Sequence, residues 1–387
     1  MKQILSLLLL IISNPASSFH FPNGRAFLKT PKVSHPLRTR TACFSSSSNN
    51  QDNSETPIKL VVPGRPTWQQ TMLRIADPSK SISFYTETMG MTLIDIFDFP
   101  QYKFSIYFLT TLPRGETYGL TPGTQEAHDY TWSMEGTTLE LTHNYGTEDS
   151  ETFKGYHAGN EERDGFGHVA FSCDDVYQAT ETLLEKNVLF KKKPDEGRMK
   201  GLAFAYDPDG YWIELVKRPT TGKIRNIFNF SQTMLRVRDP QKSLAFYQNM
   251  GMTLLSERHF DDFSLYYLAS DLEGIEIPIE DSSTNDAKNN AYSKFGPLLE
   301  LTHNHGTEKE ENGFEGYFHG NEEGRQGFGH VGFLVDDVHE ACDAIREMGY
   351  GFRKVGLFCS SVESFVLLAF NESLMILSFI HCFGLGT

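Results

Sequence analysis

The sequence predicts an α+β protein built from four βαβββ modules, the last of them cut short. Three observations lead there. Gln70-Thr71-Met72-Leu73-Arg74 returns as Gln232-Thr233-Met234-Leu235-Arg236, a shift of 162 residues, and Phe84-Tyr85 and Gly167-His168-Val169 return at the same shift as Phe246-Tyr247 and Gly329-His330-Val331. Self-similarity at one fixed period marks copies of a single structural unit. Each copy also carries a fainter internal duplication, in which a strand runs into an Asp-capped helix and then into further strands. Third, Leu139-Glu140-Leu141-Thr142-His143-Asn144 recurs as Leu299-Glu300-Leu301-Thr302-His303-Asn304, with the alternation of a strand: Glu and Thr on one face, Leu on the other. A βαβββ unit leaves one sheet face uncovered, so the modules have to pair.

The elements follow in order. A strand over 70–75 reaches Asp77-Pro78, an N-cap with proline at the first helical position. The helix behind it turns Ile82, Tyr85 and Met89 to one side and stops at Gly90. Strands are expected over 92–97, 103–109 and 138–142. The second module repeats the plan: a strand over 168–172, Asp174-Asp175, a helix over 176–186 with Val176, Ala179 and Leu183 inward, and strands over 190–192, 203–207 and 212–216. Copy 1 therefore spans 60–219 and copy 2 spans 224–354, with Lys217-Arg218-Pro219 through Arg225 read as the linker.

Both ends depart from this plan. Lys2, an apolar run over 4–12 and Ala16-Ser17-Ser18 form a signal-peptide layout too short for a stable membrane span. No Asp or Glu precedes Asp52, while Arg25, Lys29, Lys32, Arg38 and Arg40 lie among Ser, Thr and Pro, as in a transit peptide. Residues 1–55 thus read as a bipartite signal and transit presequence addressed to a plastid, with an ordinary secretory signal as the alternative. After Lys354 there is no Lys or Arg, and 364–383 is apolar apart from a few polar residues that include Asn371 and Glu372. A glutamate near the middle of a span is costly, so 355–387 reads as an aberrant apolar tail, as from a retained intron, in place of the segment that should complete copy 2.

Composition narrows the function classes. Apolar residues at 39% and aromatics at 13% suit a packed globular chain, and a net charge of -15 argues against nucleic acid as a partner. It leaves an anionic small molecule open. The five cysteines, Cys43, Cys173, Cys342, Cys359 and Cys382, form no disulfide framework.

The chemistry sits on the strands. A carboxylate between leucines needs a partner to offset its desolvation, and no cation lies near it in sequence. Module symmetry puts Gln70 and His168 at the heads of paired first strands and Glu140 and Glu214 on the last strands, with Gln232, Glu300 and His330 as the copy-2 counterparts. Each alone would be structural. Together they form an oxygen and nitrogen ligand set without thiolate, which suits Zn, Ni, Co or Mn. Pairing within copy 1 would join Gln70, Glu140, His168 and Glu214. Pairing across copies would join Gln232, Glu300, His168 and Glu214, and leave Gln70, Glu140 and His330 without a fourth member. The residues leave both arrangements open.

Longer stretches carry a resemblance: Gln69-Gln70-Thr71-Met72-Leu73-Arg74, the 139–146 strand, Gly165-Phe166-Gly167-His168, Met199-Lys200-Gly201-Leu202-Ala203-Phe204 and Asp207-Pro208-Asp209-Gly210-Tyr211-Trp212-Ile213-Glu214. On these the chain resembles glyoxalase I (lactoylglutathione lyase) in its tandem two-copy form, with the vicinal oxygen chelate fold. The resemblance implies isomerisation of the methylglyoxal–glutathione hemithioacetal to S-lactoylglutathione through a metal-stabilised enediolate, with glutathione as cosubstrate. It implies a divalent metal, zinc before nickel or cobalt because the 146–159 loop is long, held by the Gln, Glu, His and Glu positions above. Glu214 would be the base, and Glu140 or Glu300 the opposing acid/base. Arg74 with Asn144, and in copy 2 Arg236 with Asn304, would hold one glutathione carboxylate and Lys192 the other. The family arginine that directly precedes Gly-Phe-Gly-His is displaced, since Asp164 stands there and Arg163 one earlier. Met199, Leu202 and Phe204 are candidates for the pocket wall. An extradiol dioxygenase would need histidine where Gln70 and Gln232 stand. The remaining alternative is a catalytically impaired protein of this fold that binds metal or ligand. A monomer with two internal copies is expected, acting on a small molecule and lacking a stable membrane span.

Overall fold

The structure, a computed structural model, describes residues 62–64, 66–354, 368–370 and 377–380. The expected presequence and most of the expected tail lie outside the described residues. Module 1 comprises β1 (Thr67–Ile75), α1 (Pro78–Ser83), β2 (Thr92–Phe99), β3 (Phe104–Thr110), α2 (Gln125–Ser133) and β4 (Thr138–Asn144). Module 2 comprises β5 (Phe166–Cys173), α3 (Val176–Glu185), β6 (Phe190–Lys192), β7 (Ala203–Tyr206) and β8 (Trp212–Lys217). Module 3 repeats the first as β9 (Asn229–Arg236), α4 (Pro240–Asn249), β10 (Thr253–His259), β11 (Phe263–Ala269), α5 (Asn285–Ser293) and β12 (Leu298–Asn304). Module 4 has β13 (Phe328–Leu334), α6 (Val338–Glu347) and β14 (Gly351–Lys354), followed by β15 (Leu368–Phe370) and β16 (Leu377–Ile380).

Each long module helix starts as its sequence dictates. Asp77, Asp175, Asp239 and Asp337 accept the first backbone N–H groups of α1, α3, α4 and α6. In copy 1, α1 runs on into a single π turn, Phe84–Thr88, whereas α4 stays α-helical to Asn249. The cause is readable in the repeat. Tyr85 and Tyr247 are 162 apart but Met89 and Met250 only 161, so copy 1 carries one extra residue, and a π turn absorbs it. Tyr85 and Met89 both stay fully buried. Helices α2 and α5 were not expected. Each is capped by a threonine, Thr124 or Thr284, and buries only two small side chains, Ala127 and Thr131 or Ala287 and Ala291. So narrow an inward face leaves no apolar period to read.

Strand pairing settles how the modules combine. One sheet has the order β10-β11-β12-β9-β5-β8-β7-β6 and the other β16-β13-β1-β4-β3-β2. Module 2 of copy 1 therefore shares a sheet with module 3 of copy 2, through antiparallel β5 and β9, and β1 joins β13 in the same way. A local twofold relates the halves. Thr71 Oγ1 lies 2.8 Å from its own counterpart Thr233 Oγ1, and Phe166 stacks on its counterpart Phe328 with ring centres 4.9 Å apart.

Beyond Lys354 the sequence of copy 2 departs from that of copy 1, and the strand pairing differs with it. In the complete half β8 runs parallel to β5, with Glu214 opposite Ala170. In the other half β16 takes that place beside β13, and Ser378 is opposite Gly332, the residue equivalent to Ala170. Among the described residues, a serine therefore takes the register position that Glu214 has in the complete half. The turn ahead of β8 is missed as well. In copy 1, Tyr85 Oη donates to Asp207 Oδ2 and Ser81 Oγ donates to Asp209 Oδ2, both at 2.9 Å. Their counterparts Tyr247 Oη and Ser243 Oγ are buried with no hydrogen-bond partner among the described residues. Copy 2 therefore keeps a surface shaped for an Asp-x-Asp turn that its own sequence does not supply.

This difference yields a stability prediction. Tyr85→Phe strips a partner from buried Asp207 and costs about 1–3 kcal/mol, whereas Tyr247→Phe removes an unbonded hydroxyl and is neutral or slightly stabilising. Urea unfolding midpoints of the two variants measure the contrast, and equal losses would contradict it.

Candidate active site

In the eight-stranded sheet four buried side chains converge. Gln232 lies in the middle of β9; Glu300 on β12 and His168 on β5 both stand opposite Met234, one from each side. Glu214 on β8 is opposite Ala170, which in turn faces Gln232. All four are at most 6% exposed. Nitrogen and carboxylate oxygen atoms of His168, Glu214 and Glu300 lie within 4.8 Å of one another. Gln232 Nε2 donates to Glu214 Oε2 at 2.9 Å and also to Glu300 Oε2. His168 Nε2 lies 3.2 Å from Glu214 Oε2 and 3.8 Å from Glu300 Oε2, with no well-aligned hydrogen-bond partner among the described residues.

The electrostatics ask for a cation. Burial raises the Glu300 carboxyl above its ordinary range, against the pull of His168. Burial by itself would lower the His168 imidazolium, but Glu214 and Glu300 outweigh it and hold the group up at about 9. A proton on His168 thus offsets part of the buried negative charge. An unbonded imidazole nitrogen, two carboxylates and a carboxamide around one point are what a divalent ion of the zinc type takes as ligands.

The other centre has three of these members. Gln70 Nε2 donates to Glu140 Oε2 and lies 3.1 Å from His330 Nε2, with His330 Nε2 3.5 Å from Glu140 Oε2. Thr142 Oγ1 donates to Glu140 Oε1 at 3.1 Å. Of the two open arrangements, the structure builds the one across copies.

That arrangement also sorts the other expected residues. Arg236 and Asn304 each lie four residues beyond a ligand on β9 and β12, hence on the same strand face, and belong with the four-member centre. Lys192 and Arg163 come from module 2, as His168 does. Arg74 and Asn144 belong with the three-member centre. Each arginine clamps the opposite copy. Arg236 donates to Asn160 Oδ1 at 2.8 Å and to the carbonyls of Asp164 and Phe166, both at 3.1 Å. Arg74 donates to Asn321 Oδ1 at 2.7 Å and to the carbonyls of Gly327 and Phe328, both at 3.3 Å. Asn304 and Asn144 donate to the hydroxyls of Tyr317 and Tyr156. Lys192 Nζ donates to the carbonyls of Met199 and Leu202 and so ties the 193–202 loop. Arg163 has a left-handed backbone and pairs with Glu315 at 2.7 Å. Phe204 meets His168 edge-on at 5.5 Å, while Met199 is exposed.

Sequence reasoning missed one neighbour of the centre. Arg218 was expected in the linker, yet it is buried and donates through Nη2 to Gln232 Oε1 at 2.6 Å. The available signal was its place directly after β8, four residues beyond Glu214 and so in step with that strand's inward face. Around it the centres also differ: Tyr267 stands opposite Glu300 where Phe108 stands opposite Glu140.

The family model of the Glyoxalase/Bleomycin resistance protein/Dioxygenase superfamily matches residues 67–215 and 229–355. The chain is 39% identical over 288 residues to a lactoylglutathione lyase of Schizosaccharomyces pombe, covering 73% of this chain and 86% of that protein. It is 28% identical to a probable chloroplastic lactoylglutathione lyase of Arabidopsis thaliana, over 88% of this chain and 80% of the relative. Glyoxalase I from Zea mays shares the fold, with a TM-score of 0.56 at 24% identity over 82% of this chain and 92% of that one. The chain belongs to the glyoxalase I family.

A metal prediction follows from the charges. A divalent ion taken up at His168 would have to displace the proton that this residue keeps below about pH 9, so uptake by metal-free protein would release protons. Affinity then rises with pH by about tenfold per unit from 7 to 9 and levels off above. Calorimetric titrations in buffers of different ionisation enthalpy read the released protons, and an affinity independent of pH in this window would contradict the prediction.

Proposed function

We propose that the chain is a lactoylglutathione lyase, which isomerises the hemithioacetal of methylglyoxal and glutathione to S-lactoylglutathione, and that Gln232, Glu300, His168 and Glu214 form its working centre. The convergence of these four side chains from both copies carries the reading, together with the family relationship. A divalent ion, zinc in the first instance with nickel or cobalt as substitutes, fits the set and would polarise the substrate oxygens as a Lewis acid. The rest of the chemistry belongs to the chain. Glu214 is suited to take the carbon-bound proton and Glu300, on the opposite side, to act as its acid/base partner. Arg236 and Asn304 suit one carboxylate of glutathione and Lys192 the other. Arg163, held by Glu315, would take part only by leaving that pair. Arg74 and Asn144 would serve the three-member centre, where Gln70, Glu140 and His330 can bind an ion at most weakly.

The presequence reading, together with the Arabidopsis relative that is described as chloroplastic, supports a plastid destination. Among the described residues no helix is long and apolar enough to cross a membrane.

Substitution separates the two centres. Glu300→Gln, like Glu214→Gln, lowers kcat for the hemithioacetal by roughly 10²–10⁴-fold, while Glu140→Gln leaves most activity in place. A glutathione-dependent methylglyoxal assay tests both. Activity that survives Glu300→Gln but not Glu140→Gln would overturn the assignment. Chelation abolishes activity and zinc restores it in the wild type; activity that persists in chelated protein would remove the metal from the proposal.

A further inference from the structure

Arg218 directly follows β8 and is 3% exposed. A guanidinium so far out of water is costly unless well paired, and this one forms no ion pair among the described residues. Its Nε and Nη1 have no hydrogen-bond partner. Its centre lies 5.0 Å from the Tyr292 ring. What it does bond is a single atom, the Oε1 of Gln232.

That bond fixes which way the Gln232 carboxamide faces. The nitrogen is spent on Glu214 and Glu300 and the oxygen on Arg218. A guanidinium offers donors only, so turning the amide over would set its NH₂ against another donor. A divalent ion needs the oxygen. In the other centre the same contest is missing: Gln70 Nε2 bonds Glu140 as before, but Gln70 Oε1 is buried without a partner among the described residues. No donor holds the oxygen of Gln70 there, whereas Arg218 holds that of Gln232.

We infer that Arg218 is a positioning residue that competes with the ion for Gln232, so that the four-member centre holds its metal less tightly than its ligands alone would. This rests on the reading of the centre as a divalent-metal site. Metal entering the centre has to draw the Gln232 oxygen off Arg218 or share it, and in either case gives up part of a charge-assisted hydrogen bond.

Zinc titration of the metal-free full chain against a chromophoric chelator tests this, reading the tight phase. Arg218→Met removes the donors and keeps most of the volume; it is expected to tighten zinc binding about 10–100-fold, the range of one charge-assisted hydrogen bond. In a Gln232→Leu background the same substitution is expected to change affinity less than about threefold, because nothing remains for Arg218 to hold. Equal tightening in both backgrounds would mean plain charge repulsion and overturn the inference, as would unchanged or weaker binding in Arg218→Met. Arg218→Leu repeats the measurement should the methionine variant fold poorly. Uptake by the wild type with no change in the variants defeats this inference alone; no uptake by the wild type defeats the metal reading and this inference with it.

Discussion

Two carboxylates out of water beside one another constrain most of this molecule. Glu214 and Glu300 sit on strands of one sheet with almost no exposure, and like charges so placed are strongly unfavourable without compensation. The chain answers with a carboxamide that donates to both, with an imidazole that keeps its proton to about pH 9, and with a guanidinium one bond further out. The carboxylates, the carboxamide and the imidazole come from strands and the guanidinium from the residue directly after β8. Side chains on strands are held more precisely than side chains on loops, and the four strands concerned, β12, β9, β5 and β8, lie side by side in the middle of the eight-stranded sheet.

The same constraint makes the two copies interdependent. His168 and Glu214 belong to copy 1, Gln232 and Glu300 to copy 2. Copy 2 therefore has to fold for the four-member centre to exist, although its own last module is incomplete. The junction reflects this: Thr71 meets Thr233 and Phe166 meets Phe328 on the local twofold, and Arg74 and Arg236 each reach into the opposite copy.

Much of this was legible in the chain. The 162-residue repeat, the Asp-capped helices and the Leu-Glu-Leu-Thr-His-Asn strands give the modules and six of the seven side chains that the two clusters gather, because each of these is a local signal written twice, while Glu214 occurs once. What stayed illegible depends on long-range choice. Pairing within or across copies places identical residues on identical strands, so only the register of β5 on β9 decides it. Helices α2 and α5 have too narrow an inward face to produce a period. Arg218 was lost for another reason: between Lys217 and Pro219 it looks like ordinary linker chemistry, and its burial follows from the face it shares with Glu214.

The halves also show what a missing segment costs beyond its own residues. The stretch 207–218 of copy 1 supplies Asp207 for Tyr85, Asp209 for Ser81, Glu214 for the centre and Arg218 for Gln232. In the other half the matching atoms Tyr247 Oη, Ser243 Oγ and Gln70 Oε1 are among the buried side-chain atoms that have no hydrogen-bond partner among the described residues. The contacts to Glu214, to the Asp207–Asp209 turn and to Arg218 all come from one stretch of 12 residues, so a single segment of copy 1 shapes both the surroundings of Tyr85 and the four-member cluster.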